Sequence, residues 1–247
     1  MAASTQLTRI EAKLLLRDPF SLFSGLILPS IVLLALGLFF PGFDEVAEEF
    51  GGIRAIDVYT PTMIGLGLAI IGLIMLPSTL SSYRQMGILR RLRTTPVHPS
   101  RVLWAQMVVY GAVAVVASAA VLVIALVVFD VHLPEQLLWF LLSFFLALAS
   151  MFSIGLLIAA VAPTAPAGQA IGFVVFFPVL FLAGLWVPRP VMPEALKTFS
   201  DLTPLGAAVQ AMADAWAGLT PSAAHLAVMA LYTIVCGLLA VRFFRWE

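Results

Sequence analysis

Five long stretches without charge constrain this chain more than any motif does. Residues 19–43, 58–83, 102–129, 136–188 and 215–241 contain no Asp, Glu, Lys or Arg. A helix needs about 20 mostly apolar residues to cross a hydrocarbon core of about 30 Å. The fourth stretch holds 53 residues and is broken by "APTAPAG" (162–168), whose prolines and glycine form a turn, so it accommodates two helices. The expected fold is therefore an all-α polytopic membrane protein. Its 247 residues form a single transmembrane domain with spans at 20–40, 59–82, 102–128, 137–161, 168–187 and 223–242. Composition agrees: 62% hydrophobic and 11% charged residues, with mean hydropathy +1.08, lie far from the roughly 25% charge of soluble domains.

An even number of spans puts both termini on one side. On that side fall Arg9, Lys13, Arg17, Arg84, Arg90, Arg91, Arg93, Arg101, Arg242 and Arg245, against Arg54, Arg189 and Lys197 on the other. Lys and Arg near helix ends stay in the cytoplasm, so the expected topology is a multi-pass protein of the cell membrane with both termini cytoplasmic. Most acidic residues, from Asp44 to Asp214, fall outside. The basic N-terminus resembles a signal peptide, but the apolar run after it exceeds a typical 7–15-residue core and lacks an A-x-A-like site. It reads as a retained anchor. Cys236 is the only cysteine, so no intrachain disulfide forms.

Residues 1–18 contain Leu7, Ile10 and Leu14 on one helical face and Arg9, Lys13 and Arg17 on another, the pattern of a short amphipathic helix in the interface. The Asp18-Pro19 step disfavours its continuation into span one. Pro29, Pro77 and Pro178 lie inside spans one, two and five, where each removes a backbone hydrogen bond. Between spans five and six, residues 188–220 are too apolar for a solvated loop. Leu196, Phe199 and Leu202, then Leu205, Val209, Met212 and Trp216 after Thr203-Pro204, predict two short external amphipathic helices. They either re-enter or cap the protein, or else form a hairpin on the headgroups.

Intramembrane catalysis and ion coupling need ionisable groups at depth, and the spans offer essentially none. His225 lies near a helix end, while His98 and His132 lie in loops. No H-E-x-x-H pair, carboxylate pair or metal-ligand spacing occurs, so no metal or catalytic residue is assigned. A phosphate-cradling loop requires G-x-x-x-x-G-K-[ST], and neither lysine, Lys13 or Lys197, follows a glycine. Energy for transport would have to enter through another protein.

The inward loop 83–101 is the one segment large enough to receive it. "YRQMGILRRLR" places Ile88, Leu89 and Leu92 on one side and Arg84, Arg90, Arg91 and Arg93 largely on others, before Thr94-Thr95-Pro96 ends the helix. Charge alone is equally explained by topology and anionic-lipid contact.

The residue order adds more. "YRQMGILRRLRTTPVHPSRVLWAQ" (83–106) resembles the membrane subunits of type-2 ABC exporters, in which a G-x-L-x-x-L-x-x-T-P-like stretch follows span two; here these are Gly87, Leu89, Leu92, Thr95 and Pro96. "FFPVLFLAGLWVPRPVMPEALKTFSDLTPLGAAVQAM" (176–212) resembles the family's span five and its P-x-x-x-x-P external segment. By length and loop pattern the nearest subgroup is the daunorubicin-type drug and lipid exporter permeases.

The resemblance implies a permease without ATPase activity of its own. It would work with a second copy or a paralogous permease and with a dimer of separate ABC ATPase subunits, which bind ATP and Mg. The implied ATPase contacts are Arg84, Gly87, Leu89, Arg90, Arg91, Leu92, Arg93, Thr95 and Pro96, beside the interfacial helix with Arg9, Lys13 and Arg17. Many relatives carry an acidic residue shortly before the glycine, where this chain has Tyr83-Arg84-Gln85-Met86. The span interiors suit a lipophilic or amphipathic substrate, with Phe173, Phe176, Phe177 and Phe181 as candidate lining. Membrane lipids are expected partners and nucleic acid is not. A non-transporting scaffold and an ATPase-independent carrier are the alternative functions.

Overall fold

The computed structural model describes residues 2–40, 42–48, 52–88 and 100–243. Helix α1 (Ala2–Leu16) precedes six helices long and apolar enough to cross a membrane. These are α2 (Pro19–Phe39), α3 (Ala55–Gln85), α4 (Ser100–Phe129), α5 (Leu137–Val161), α6 (Ala165–Leu182) and α9 (Ala223–Phe243), with α7 (Glu194–Asp201) and α8 (Pro204–Trp216) between the last two. The protein is thus an all-α polytopic membrane protein. Among the described residues, extended structure is confined to β1 (Val46–Ala47) paired antiparallel with β2 (Ile53–Arg54).

The spans alternate in direction. One end of the bundle carries exposed Arg9, Lys13, Arg17, Arg101 and Arg242 and is called the basic end; the opposite, acidic end carries Asp44, Asp57, Glu135, Asp201 and Asp214. Helix α3 is the axis, packing against α2, α4, α5, α6 and α8 and burying nearly all of its apolar middle. By contrast α2, α6 and α9 leave most of their surface outward, as helices that meet lipid do.

Local chemistry sets the breaks. Asp18 caps α2, accepting from the Ser21 amide at 3.2 Å, and Pro19 occupies the first turn, where no N–H is needed. Span five starts at Ala165, three residues earlier than the turn sequence suggests. Thr164 accepts from the Ala167 amide at 3.4 Å and caps it, and Pro166 fits inside the first turn. It stops at Leu182 because Gly184 adopts φ +97°, a left-handed helix stop.

Pro29 and Pro77 each follow a widened π turn, Phe23–Ile27 in α2 and Ile70–Met75 in α3. The wider turn accommodates a missing donor within the span. The two turns meet: a Cβ on Gly25 would lie 2.7 Å from Met75 Sδ and 3.3 Å from Ile71.

Residues 188–220 divide in two. Helix α7 stays at the surface with Phe199 and Leu202 exposed, while α8 is wedged against α3, α5 and α9 with Leu205, Ala207, Ala208, Ala211, Met212 and Ala215 fully buried. A hairpin lying on headgroups therefore does not describe α8. Its alanines let it approach its neighbours closely, and Trp216 fixes its end by donating to the His132 carbonyl at 2.9 Å and meeting Phe140 edge-on.

Candidate functional site

At the basic end, three elements converge on one carboxylate. Glu11 of α1 is buried, and its Oε2 accepts from the Tyr83 hydroxyl of α3 at 2.7 Å and from Gln106 Nε2 of α4 at 2.6 Å. Burial raises the Glu11 pKa above the ordinary carboxylate range, and the Tyr83 hydrogen bond offsets part of the rise. Below this network, Tyr83 and Val102 pack with Leu7 and Ile88. Beside it a cavity of about 200 Å³ is lined by Leu14, Leu15, Asp18, Thr79, Val109 and Tyr110 as well as the network itself, and Thr79 and Tyr110 share a 2.7 Å hydrogen bond.

Tyr83 and Gln106 flank the loop that the sequence marks as the candidate coupling segment. Of its residues, Arg84 donates to the Ala160 carbonyl at 3.2 Å, tying the end of α3 to α5. Gln85 accepts from the Ala165 amide at 3.3 Å and so helps cap α6. Gly87 adopts φ +68°, with its amide donating to the Arg84 carbonyl at 3.0 Å, and turns the chain out of α3. Leu89, Arg90, Arg91, Leu92, Arg93, Thr95 and Pro96 lie outside the described residues. On α1, Arg9, Lys13 and Arg17 are exposed around the same end.

The face that α1 turns to the protein differs from the expected one. Glu11 and Leu15 point inward, while Ile10 and Leu14 are about half exposed. Helical spacing puts Leu7, Glu11 and Leu15 on one line, and a lone carboxylate on that otherwise apolar line is the signal in the sequence that marks Glu11.

The four candidate phenylalanines do not share one face. Phe176 is buried, whereas Phe173, Phe177 and Phe181 are partly exposed on the outer side of α6. Phe173 and Phe177 stack with centroids 6.1 Å apart, and Phe177 and Phe181 approach Trp186 at 6.2 and 6.4 Å. Together with Pro178 and Leu182, the last three line an open apolar groove of about 480 Å³. Helical periodicity does not mark Trp186, because it lies beyond the helix end and is brought back by the turn at Gly184.

At the acidic end, Asp201 of α7 receives Arg189 at 2.7 Å and His225 Nε2 of α9 at 3.0 Å. The other ring nitrogen of His225 is buried without a hydrogen-bond partner, 4.0 Å from Asp214 of α8. Arg54 ties the outer loop to α4, pairing with Asp44 and Asp57 and donating to the Phe129 and Asp130 carbonyls. Among the described residues, no three His, Cys, Asp or Glu side chains are grouped to hold a metal.

Six apolar spans, with charged networks at the two ends among the described residues, define a polytopic helical membrane protein. Residues 3–216 match the family model described as ABC-2 type transporter, and the chain belongs to that family. It is accordingly the membrane-spanning permease component of an ABC transporter, a subunit distinct from the nucleotide-binding one, and the family implies partnership with an ABC ATPase. No curated protein and no solved structure matches it.

Proposed function

We propose that this permease exports a lipophilic or amphipathic, drug-like or lipid-like substrate from the cytoplasm or inner leaflet. A separate ABC ATPase dimer, which binds ATP and Mg, drives the alternating access. The observation that carries this reading is the convergence of α1, the end of α3 and the start of α4 on Glu11, around the loop that holds the family-like motif. A push on that loop would be delivered to three elements held together, and α3 contacts most of the bundle. The ten-to-three distribution of basic residues supports cytoplasmic termini, which put this end where an ATPase resides.

The exposed Phe173, Phe177, Phe181 and Trp186 surface on α6 supports pairing with a second copy or a paralogous permease, with substrate passing between the two. The loop pattern favours the daunorubicin-type subgroup. The ATPase contacts are Arg84, Gly87, Leu89, Arg90, Arg91, Leu92, Arg93, Thr95 and Pro96, with Arg9, Lys13 and Arg17 beside them.

The test is ATP-dependent uptake of a fluorescent phospholipid analogue, or a lipophilic dye, into inverted membrane vesicles that contain the permease and its ATPase. The Arg90→Glu, Arg91→Glu double variant should insert normally and lose uptake. Undiminished uptake by that variant would remove the coupling assignment. A stoichiometric ATPase whose activity stays flat across lipophilic substrates would favour a scaffold instead.

A further inference from the structure

The Glu11 carboxylate bonds at once to two different transmembrane helices. We infer that Glu11 is a positioning residue for energy coupling: it latches α1 to the last turn of α3 and the first turns of α4, so that both stems of the 83–101 loop move with the interfacial helix as one unit. The inference rests on the exporter reading above.

The geometry is specific. Tyr83 opens the loop segment and Gln106 follows it by five residues, and both donate to the same atom, Oε2. Glu11 is only 7% exposed, so neither bond is replaced readily by water. Nothing else polar on α1 is buried as deeply among the described side chains, and the surrounding Leu7, Val102 and Ile88 contacts have no directional preference. Without the carboxylate the three elements would still adhere through apolar surface, which permits sliding. With it, a displacement of either stem is transmitted to the other through α1.

The role predicts a pattern that simple structural support does not. Gln at position 11 retains a carbonyl oxygen able to accept both bonds, whereas Leu retains the volume and accepts neither. The experiment uses full-length permease with its ATPase in proteoliposomes, reading ATP hydrolysis and translocation of a fluorescent phospholipid analogue together. Glu11→Leu should keep the ATPase bound and hydrolysing, while phospholipid moved per ATP falls roughly fivefold or more. Glu11→Gln should stay close to wild type. Tyr83→Phe and Gln106→Leu should each lower the ratio partly, and their combination should match Glu11→Leu.

An unchanged ratio in Glu11→Leu overturns the latch. Should Glu11→Leu fail to insert, the Tyr83→Phe, Gln106→Leu pair takes its place, and an unchanged ratio there overturns the latch equally. Loss of ATPase binding in both Glu11→Leu and Glu11→Gln would also overturn it, by making Glu11 a docking contact. Wild-type proteoliposomes without ATP-driven transport would remove the exporter reading and the coupling role with it. Normal wild-type transport with an unchanged variant ratio removes the coupling role alone.

Discussion

Gly155 of α5 rests on Gly72 of α3 so closely that a Cβ added at position 155 would overlap the Gly72 carbonyl oxygen. A Cβ on Gly172 of α6 would likewise overlap the neighbouring Leu73 carbonyl. Both carbonyls belong to the π turn Ile70–Met75, so the irregular part of α3 is clasped by glycines of two other spans. Small residues permit such backbone approach between membrane helices.

Gly155→Ala should therefore destabilise the bundle by about 1–3 kcal/mol, because its obstacle is backbone rather than a side chain that can rotate away. Gly111→Ala is the control: the nearest atom to its new Cβ is Leu148 Cδ2 at 4.0 Å, and alanine favours helix by up to about 1 kcal/mol. Thermal unfolding of the purified protein in detergent should show a lower midpoint for the first and an equal or higher one for the second. Equal midpoints for both would refute the clasp.

Asp201 joins α7 to α9. Burial works to raise its pKa, but the Arg189 hydrogen bond and charge, together with His225, outweigh this and leave it below the ordinary carboxylate value. A depressed folded pKa means stability that is present above the unfolded pKa and is lost as pH falls through the folded one. Asp201→Asn should thus be less stable than wild type at neutral pH, and the gap should begin to close only as pH falls below about 4. Parallel melting curves from pH 7 to 3 check this; a gap that widens in acid contradicts it.

The elements legible in the sequence are those set by local chemistry. Charge-free runs locate the spans, Asp18-Pro19 locates the break after α1, and Thr203-Pro204 locates the start of α8. What escapes depends on tertiary packing. The periodicity of Leu205, Val209, Met212 and Trp216 specifies a helix but not that Ala207, Ala208, Ala211 and Ala215 are buried on its other sides. The spacing of Leu7, Ile10 and Leu14 is equally good for meeting lipid or protein. Only the position of α4 decides that Glu11 and Leu15 turn inward. Trp186 joins the aromatic surface of α6 through a backbone reversal at Gly184 that helical periodicity does not describe.

Docking of α1 should depend on pH. Glu11 faces Tyr83 on α3, Gln106 and Tyr110 on α4 and, around the shared cavity, Asp18 at the start of α2; among the described residues no cation lines that cavity. Its raised folded pKa has a definite sign. The contribution to docking is fully present below the ordinary carboxylate pKa and declines as pH rises through the raised value. A nitroxide at Ile10→Cys, in a Cys236→Ser background, should become more mobile from about pH 4.5 to 8 by electron paramagnetic resonance. The same label with Glu11→Gln should show no such trend, and an identical trend in both would assign the effect elsewhere.

Gly87 separates two explanations for glycine in the coupling segment. Among the described residues no atom lies within 4 Å of where its Cβ would be. Its φ of +68° is the constraint: most residues lose roughly 1–2 kcal/mol there, Asn less, and β-branched residues more. Transport per ATP should therefore fall in the order Gly, Asn, Ala, Val at position 87. Alanine, although the smallest side chain, should be worse than the larger asparagine. Protein level in the membrane should stay unchanged through the series, because the turn lies beyond the end of α3 and not within a span. A ranking by side-chain volume instead would mean that position 87 is covered in the complex by the partner ATPase, and that its glycine is a contact requirement rather than a conformational one.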